Sequence, residues 1–195
     1  GGSRRDIRDI PVKLLLHCCC APCSTAVIAA LREEGAAITL FWYNPNIHPF
    51  TEYQSRRDTL AAYAKTLELP LEMDDYYGLR LFVAECYGGA ASPLKKKRCA
   101  ACYRLRMERC AAEAKAGGFD GFSTTLLVSP WQDHEGLRAA AEGAAAVHGT
   151  AFFYRDFRPH FRQGQAAARA LGLYRQKYCG CIFSEEERYA ASRQA

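Results

Sequence analysis

Apolar and polar positions change period several times along the chain. The run VKLLLH (residues 12–17) is apolar without helical spacing and predicts a buried strand. STAVIAALREEG (24–35) takes up helical spacing, with Ser24 expected to cap that helix and Gly35 to end it. ITLFWY (38–43), β-branched and aromatic, predicts a second strand. NPNIHPF (44–50) predicts a loop, because its prolines and asparagines break any regular element. TEYQSRRDTLAAYAKTLEL (51–69) predicts a helix capped by Thr51 and ended by Pro70. LEMD (71–74) is a weak third strand, GLRLFVAECYGG (78–89) a short helix, and CAACYRLRMERCAAEAKAGG (99–118) a longer one closed by Gly117 and Gly118. FDGFSTTLL (119–127) carries a fourth strand, QDHEGLRAAAEGAAAVHG (132–149) a helix and AFFYRDF (151–157) a fifth strand. The remainder reads as mostly helical, with IFSEEER (182–188) beginning a helix that Ser184 is expected to cap.

Strands alternating with helices predict an α/β fold, an open and mainly parallel sheet flanked by helices, with a helical C-terminal part. There is no internal repeat, low-complexity tract or linker, so one domain over 4–195 is expected; Gly1, Gly2 and Ser3 read as a tag scar. In such a sheet ligands bind beyond the carboxyl ends of the strands. Those ends carry the cysteine run after the first strand, Tyr43 and Asn44 after the second, Asp74 after the third, Ser123, Thr124 and Thr125 after the fourth, and Asp156 near the fifth.

Composition narrows the chemistry. The chain has 195 residues, 49% of them hydrophobic, enough for one full core. It does not need disulfide staples at that size. Its start is polar and charged with no apolar signal region, and no apolar run approaches a membrane span. A cytoplasmic protein with reduced thiols is therefore expected, and for its ten cysteines metal or redox chemistry outranks structural disulfides. The net charge of +5 is unevenly spread. Residues 95–109 hold seven basic side chains (Lys95, Lys96, Lys97, Arg98, Arg104, Arg106 and Arg109) against one acid, and residues 155–177 hold six against one. Two solvated helix faces would give this pattern; so would a phosphate-binding rim around a reactive centre.

Four cysteines, Cys18, Cys19, Cys20 and Cys23, crowd the loop between the first strand and helix, where mononucleotide folds place a glycine-rich phosphate loop. This loop has no glycine, which suits metal better than pyrophosphate. Cys99 and Cys102 form a C-x2-C pair, and Cys179 and Cys181 a C-x-C pair; Cys86 and Cys110 read as buried small hydrophobes. Two pairs of thiolates can hold zinc or an iron–sulfur cluster. Neighbouring Cys19 and Cys20 suit two irons of one cluster better than one tetrahedral zinc. Cys179 and Cys181 read as a redox couple or as ligands of a further metal, with Gly180 permitting the turn between them.

Five ordered motifs, LLLHCCCAPCS, YNPNIHPFTEYQSR, RCAACYRLRM, STTLLVSPWQDHE and YCGCIFS, span nearly the whole chain. Together they resemble the cobalamin-independent epoxyqueuosine reductases, the QueH family. The resemblance implies an adenine-nucleotide-hydrolase-like, Rossmann-like fold. It also implies a [4Fe–4S] cluster on Cys19, Cys20, Cys99 and Cys102, with Cys18 in a variable position, and a C-terminal redox pair at Cys179 and Cys181. The implied reaction removes the epoxide oxygen of epoxyqueuosine, a modified base in the tRNA wobble position, and leaves the alkene of queuosine. One cluster passes one electron at a time, so Cys179 and Cys181, or an additional mononuclear iron near Cys23, Cys179, Cys181 and Asp133, would complete the count. Tyr43, His134 and Asp133 are candidate proton donors. The substrate would be a tRNA anticodon stem-loop, with Lys95, Lys96, Lys97, Arg98, Arg104 and Arg106 on its phosphates and Trp131, Tyr103 or Tyr43 stacking on its bases. An electron donor is required and no membrane is. The competing readings are a zinc-stapled nucleic-acid-binding module and another α/β tRNA-modifying enzyme. An ATP-dependent one would need a glycine-rich loop that is absent.

Overall fold

β1 (Lys13–His17) has four of its five residues buried, as a strand covered on both sides requires. It lies centrally in a four-stranded sheet of order β3-β2-β1-β4, with β2 (Ala37–Trp42), β3 (Leu71–Met73) and β4 (Gly121–Thr124). Every pairing is parallel: Leu15 stands opposite Thr39 on one side and Phe122 on the other. The helices are α1 (Ala21–Glu33), α2 (Phe50–Thr66), α3 (Leu79–Tyr87), α4 (Lys95–Ala116), α5 (His134–His148), α6 (Phe161–Ala170) and α7 (Ile182–Ala190). The computed structural model describes residues 11–87 and 95–190, so Gly1, Gly2, Ser3 and the end of the predicted short helix lie outside the described residues. The α/β class, the parallel sheet and the helical C-terminal part are as expected. Among the described residues no helix is long and apolar enough to cross a membrane.

The fifth strand does not form. Residues 151–157 contribute one isolated bridge, Phe122 to Phe152. β4 stops at Thr124, where the chain tightens into a 3-10 turn over Thr125–Val128, so nothing beyond it offers a ladder. The Ser123 hydroxyl donates to the Phe153 carbonyl at 2.9 Å, and Asp156 then curls the chain by accepting from the Arg158 backbone.

Three helix starts also differ from expectation. α1 begins at Ala21, with Cys20 as its cap rather than Ser24. Pro22 explains the shift: proline has no N–H to lose in the first turn and its φ is already helical. Ser24 sits inside the helix and donates back to the Cys20 carbonyl at 2.8 Å. α7 begins at Ile182, and the Cys181 sulfur, not Ser184, accepts from the Ser184 N–H at 3.4 Å. α2 begins at Phe50 after Pro49, without a side-chain cap from Thr51.

Parallel strands put every strand's carboxyl end at one edge. The loop after β1 carries Cys18, Cys19 and Cys20 to that edge, and the loop after β2 carries Asn44 to Pro49 there. His17 ties the edge together. Its Nε2 donates to the Tyr43 carbonyl at 3.2 Å, which leaves Nδ1 to accept from the Thr124 hydroxyl at 2.9 Å, so one ring links β1, β2 and β4. Burial holds this imidazole down at about 4, so the ring is neutral.

Candidate functional site

The cysteine run divides at the sheet edge. Cys18 is fully buried, its thiol donates to the Leu16 carbonyl at 3.3 Å, and burial pushes it up to about 12. It is a core thiol. Cys19, Cys20 and Cys23 point the other way, and their sulfurs lie within 4.8 Å of one another. The backbone of Cys19 donates to the Thr125 hydroxyl at 3.3 Å, which pins the loop to the strand end. Hydrogen bonding with the Cys20 and Cys23 thiols holds Cys19 well below the usual thiol range despite its burial. Burial pushes Cys20 up, and hydrogen bonding with Cys19 and Cys20 pushes Cys23 up.

Further donors converge on the same group. The Cys20 sulfur caps α1, accepting from the Cys23 N–H at 3.4 Å, and it accepts from Gln176 Nε2 at 3.1 Å. A helix N-terminus favours negative charge. Both features suit a thiolate, the form in which cysteine binds metal.

A second set of thiols gathers on α4 and the C-terminal segment. Cys99 and Cys102 lie one turn apart on α4, the former half-buried and the latter buried. Cys102 packs with Cys86 and Phe82, and with Cys181 and Phe183 of the C-terminal segment, in a small apolar cluster. Arg106, one turn further along α4, donates through Nη2 to the Cys102 sulfur and through Nε to its carbonyl, both at 3.0 Å. Cys179 is exposed, and Gln132 Nε2 lies 3.6 Å from its sulfur. The cysteines here, Cys179 and Cys181 included, are free thiols.

The segment bearing Cys179 and Cys181 is latched onto the rest of the fold. Buried Arg56 on α2 pairs with Glu52 at 2.6 Å and donates to the carbonyls of Cys179 at 2.9 Å and Tyr178 at 3.1 Å. The loop after β2 supplies the other half. The His48 N–H donates to the Gly180 carbonyl at 2.8 Å, its ring accepts from the Ile182 N–H at 3.3 Å, and its carbonyl accepts from the Tyr178 hydroxyl at 2.5 Å. Gly180 has φ +140° and is buried; a Cβ there would stand 3.1 Å from Arg56 Nη1. Only glycine takes that backbone against that guanidinium without strain.

A cavity of about 540 Å³ opens beside the first thiols, lined by Cys19, Cys23, Arg106 and Cys179 among others. Trp131 and Phe161 form one wall, meeting edge to face at 5.0 Å, with Trp131 78% exposed. Arg175, Lys177 and Arg188 stand among the lining residues as well.

Other expected site residues fall differently. Asp133 turns its carboxylate to the start of α5, accepting from the Gly136 N–H at 3.0 Å, while its own N–H donates to the Tyr103 hydroxyl. His134 is buried and bonded to the Ser129 carbonyl. Lys95, Lys96 and Lys97 are exposed. Arg98 and Arg106 are buried, Arg98 in an ion pair with Glu187, and Arg104 pairs with Glu85 and Glu108. The outward charge of this stretch therefore rests on the lysines. Cys99 and Cys102 lie outside the compact three-sulfur group, which has Cys23 instead.

Gln132, Gln176, Arg56 and His17 hold the site together without having stood out as site residues in the sequence. Each of the amide and guanidinium groups sits within a few residues of a cysteine or inside one of the five motifs, the signal that could have found them.

The family profile described as epoxyqueuosine reductase QueH matches residues 14–187 of the chain. A Dehalococcoides mccartyi protein described as epoxyqueuosine reductase QueH is 37% identical over 177 residues, covering 91% of this chain and 94% of its own. Proteins of the same description from Acinetobacter baylyi and Thermotoga maritima are 36% and 34% identical, covering 88% and 90% of this chain and 80% and 91% of theirs.

Proposed function

The chain belongs to the QueH epoxyqueuosine reductase family, and from that premise we propose that it deoxygenates epoxyqueuosine in tRNA at the cavity that Cys19, Cys23 and Cys179 line. The observation that carries this reading is the group of three sulfurs, within 4.8 Å of one another, opening onto a cavity that Cys179 also reaches. Two C–O bonds break, one C=C bond forms, and the oxygen leaves as water after taking up two electrons and two protons.

The residues fit an iron–sulfur group. Buried sulfurs, a helix N-terminus, an amide donor and a buried guanidinium together compensate the negative charge that thiolate-bound iron brings. We assign Cys19, Cys20, Cys99 and Cys102 to a [4Fe–4S] cluster. Cys23 lines the cavity beside Cys19, and Cys179 and Cys181 would join it around an additional iron. The cluster supplies electrons one at a time. Around it the chain's own residues bind and orient: Trp131 offers an indole face for an unstacked base, and the exposed lysines meet the phosphates.

The direct test is anaerobic. The protein, supplied with iron and sulfide and a reduced viologen, should convert tRNA-borne epoxyqueuosine to a nucleoside lighter by one oxygen. Stoichiometric zinc with no iron, or intact epoxide on bound tRNA, overturns the reading.

Two further outcomes are expected. Cys179→Ser and Cys181→Ser should keep the iron–sulfur absorbance and lose multiple turnover by about a hundredfold, the size expected for groups that support a metal centre. Ser at 181 preserves the α7 cap, so a loss there reports chemistry rather than folding. Wild-type turnover per cluster in both would remove the pair from the mechanism. Replacing Lys95, Lys96 and Lys97 by Gln should weaken tRNA binding and reduce the slope of log affinity against log salt by about 2, at ~0.7–0.9 for each phosphate no longer neutralised. An unchanged slope would make these charges a solvated face.

A further inference from the structure

Arg106 is 2% exposed, and no carboxylate lies within ion-pair distance of it among the described residues. The other deeply buried arginines each have an acid: Arg56 has Glu52, and Arg98 has Glu187. A buried cation without a counter-charge costs several kcal/mol, so its retention calls for an anion that the folded chain itself does not provide in full. Two of its three nitrogens face the protein. Nε holds the Cys102 carbonyl and Nη2 the Cys102 sulfur. Nη1 makes no hydrogen bond among the described residues, and the side chain lines the cavity beside Cys19, Cys23 and Cys179.

We propose that Arg106 is a catalytic residue, its free Nη1 hydrogen-bonding the epoxide oxygen and taking up the negative charge that collects there as the ring opens. The proposal rests on the reading of the cavity as the epoxyqueuosine site. The epoxide lies on the cyclopentane ring, at the far end of the base's substituent, so it reaches deepest when the phosphates stay outside. Exposed Arg175, Lys177 and Arg188 meet the outer parts of the nucleotide, and Arg106 meets the end that reacts. As the first C–O bond breaks, the oxygen becomes an alkoxide. As the second breaks, the C=C bond forms and the oxygen departs as water. Two electrons come from a low-potential one-electron donor used twice, and both protons come from solvent. The guanidinium stays protonated throughout and gives up no proton. A fixed donor aimed at developing charge in a water-poor site is worth about 10²–10³ in rate.

The test is single-turnover reduction of epoxyqueuosine tRNA by reduced viologen, scored per bound iron, in wild type, Arg106→Gln and Arg106→Lys. Arg106→Gln should fall by about 10²–10³ with tRNA affinity within threefold of wild type, and Arg106→Lys should recover part of the rate. Rates within threefold of wild type in Arg106→Gln overturn the proposal. So does loss of iron from both variants, since the guanidinium would then hold the centre rather than take part in the reaction. A wild-type protein that binds the tRNA and leaves the epoxide intact overturns the reading of function itself, which separates the two failures.

Discussion

A Cys20→Ser protein should fold as well as the wild type, bind no iron and lose epoxide reduction. Cys20 does two jobs that this substitution separates. Its sulfur caps α1, accepting from the Cys23 N–H, and it belongs to the three-sulfur group. Serine is among the preferred capping residues, and its hydroxyl can accept from the same N–H and from Gln176, so stability should change by less than about 1 kcal/mol. A hydroxyl does not replace a thiolate as an iron ligand. Iron content should therefore fall and activity drop by more than about a hundredfold, the upper end of what losing a mere supporting group costs. Cys18→Ala is the matched control. That thiol faces the core, so its loss should cost some stability and leave the iron in place. Iron and sulfide at wild-type levels in Cys20→Ser would remove Cys20 from the centre; iron lost from Cys18→Ala alone would move the ligand pair by one residue.

Arg56→Met should be the most destabilising single change outside the apolar core. It leaves Glu52 buried without its cation and the carbonyls of Tyr178 and Cys179 without a donor. Breaking one side of a buried pair costs roughly 3–5 kcal/mol, which for a chain of this size lowers Tm by about 6–20 °C at ~2–4 °C per kcal/mol. Thermal unfolding measures it. Adding Glu52→Leu should restore much of the stability, since the orphaned carboxylate is then gone, yet leave activity low because the segment carrying Cys179 and Cys181 has still lost its latch. Full activity in the double variant would show that the loop after β2 places that segment unaided.

These side chains also mark where the sequence was legible and where it was not. The apolar run VKLLLH and the alternation after it were enough for a parallel sheet, because a strand covered on both faces has little choice of residues. The cysteine loop was legible for the same reason: β1 ends there, and a parallel sheet presents its strand ends together. The α1 start was misread because Ser24 has the stronger intrinsic cap preference, while Pro22 fixes the first turn two residues earlier. The fifth strand was misread because its partner's length depends on the Thr125 turn, a tertiary event with no periodic signal. Among the basic residues at 95–109, direction was readable in principle. Arg98, Cys102 and Arg106 follow at intervals of four, one face of a helix, and all three are buried. Once Cys102 is taken as inward, the two arginines must turn inward with it. Gln132 and Gln176 left no such trace, because an amide that donates to a sulfur looks in sequence like any polar surface residue.

The latch on the Cys179–Cys181 segment has a consequence for how the protein is made. Its thiols come from distant parts of the chain, with Cys19 and Cys20 emerging from the ribosome well before Cys179 and Cys181. Translation at ~5–20 residues per second separates them by roughly 8–30 s. During that interval neither Arg56 nor the loop after β2 has its C-terminal partner, and the sulfurs of the first loop lack Gln176. The nascent thiols are then nucleophiles without their cover. Synthesis under air should damage this centre most in its first half-minute, before the last segment arrives to close it.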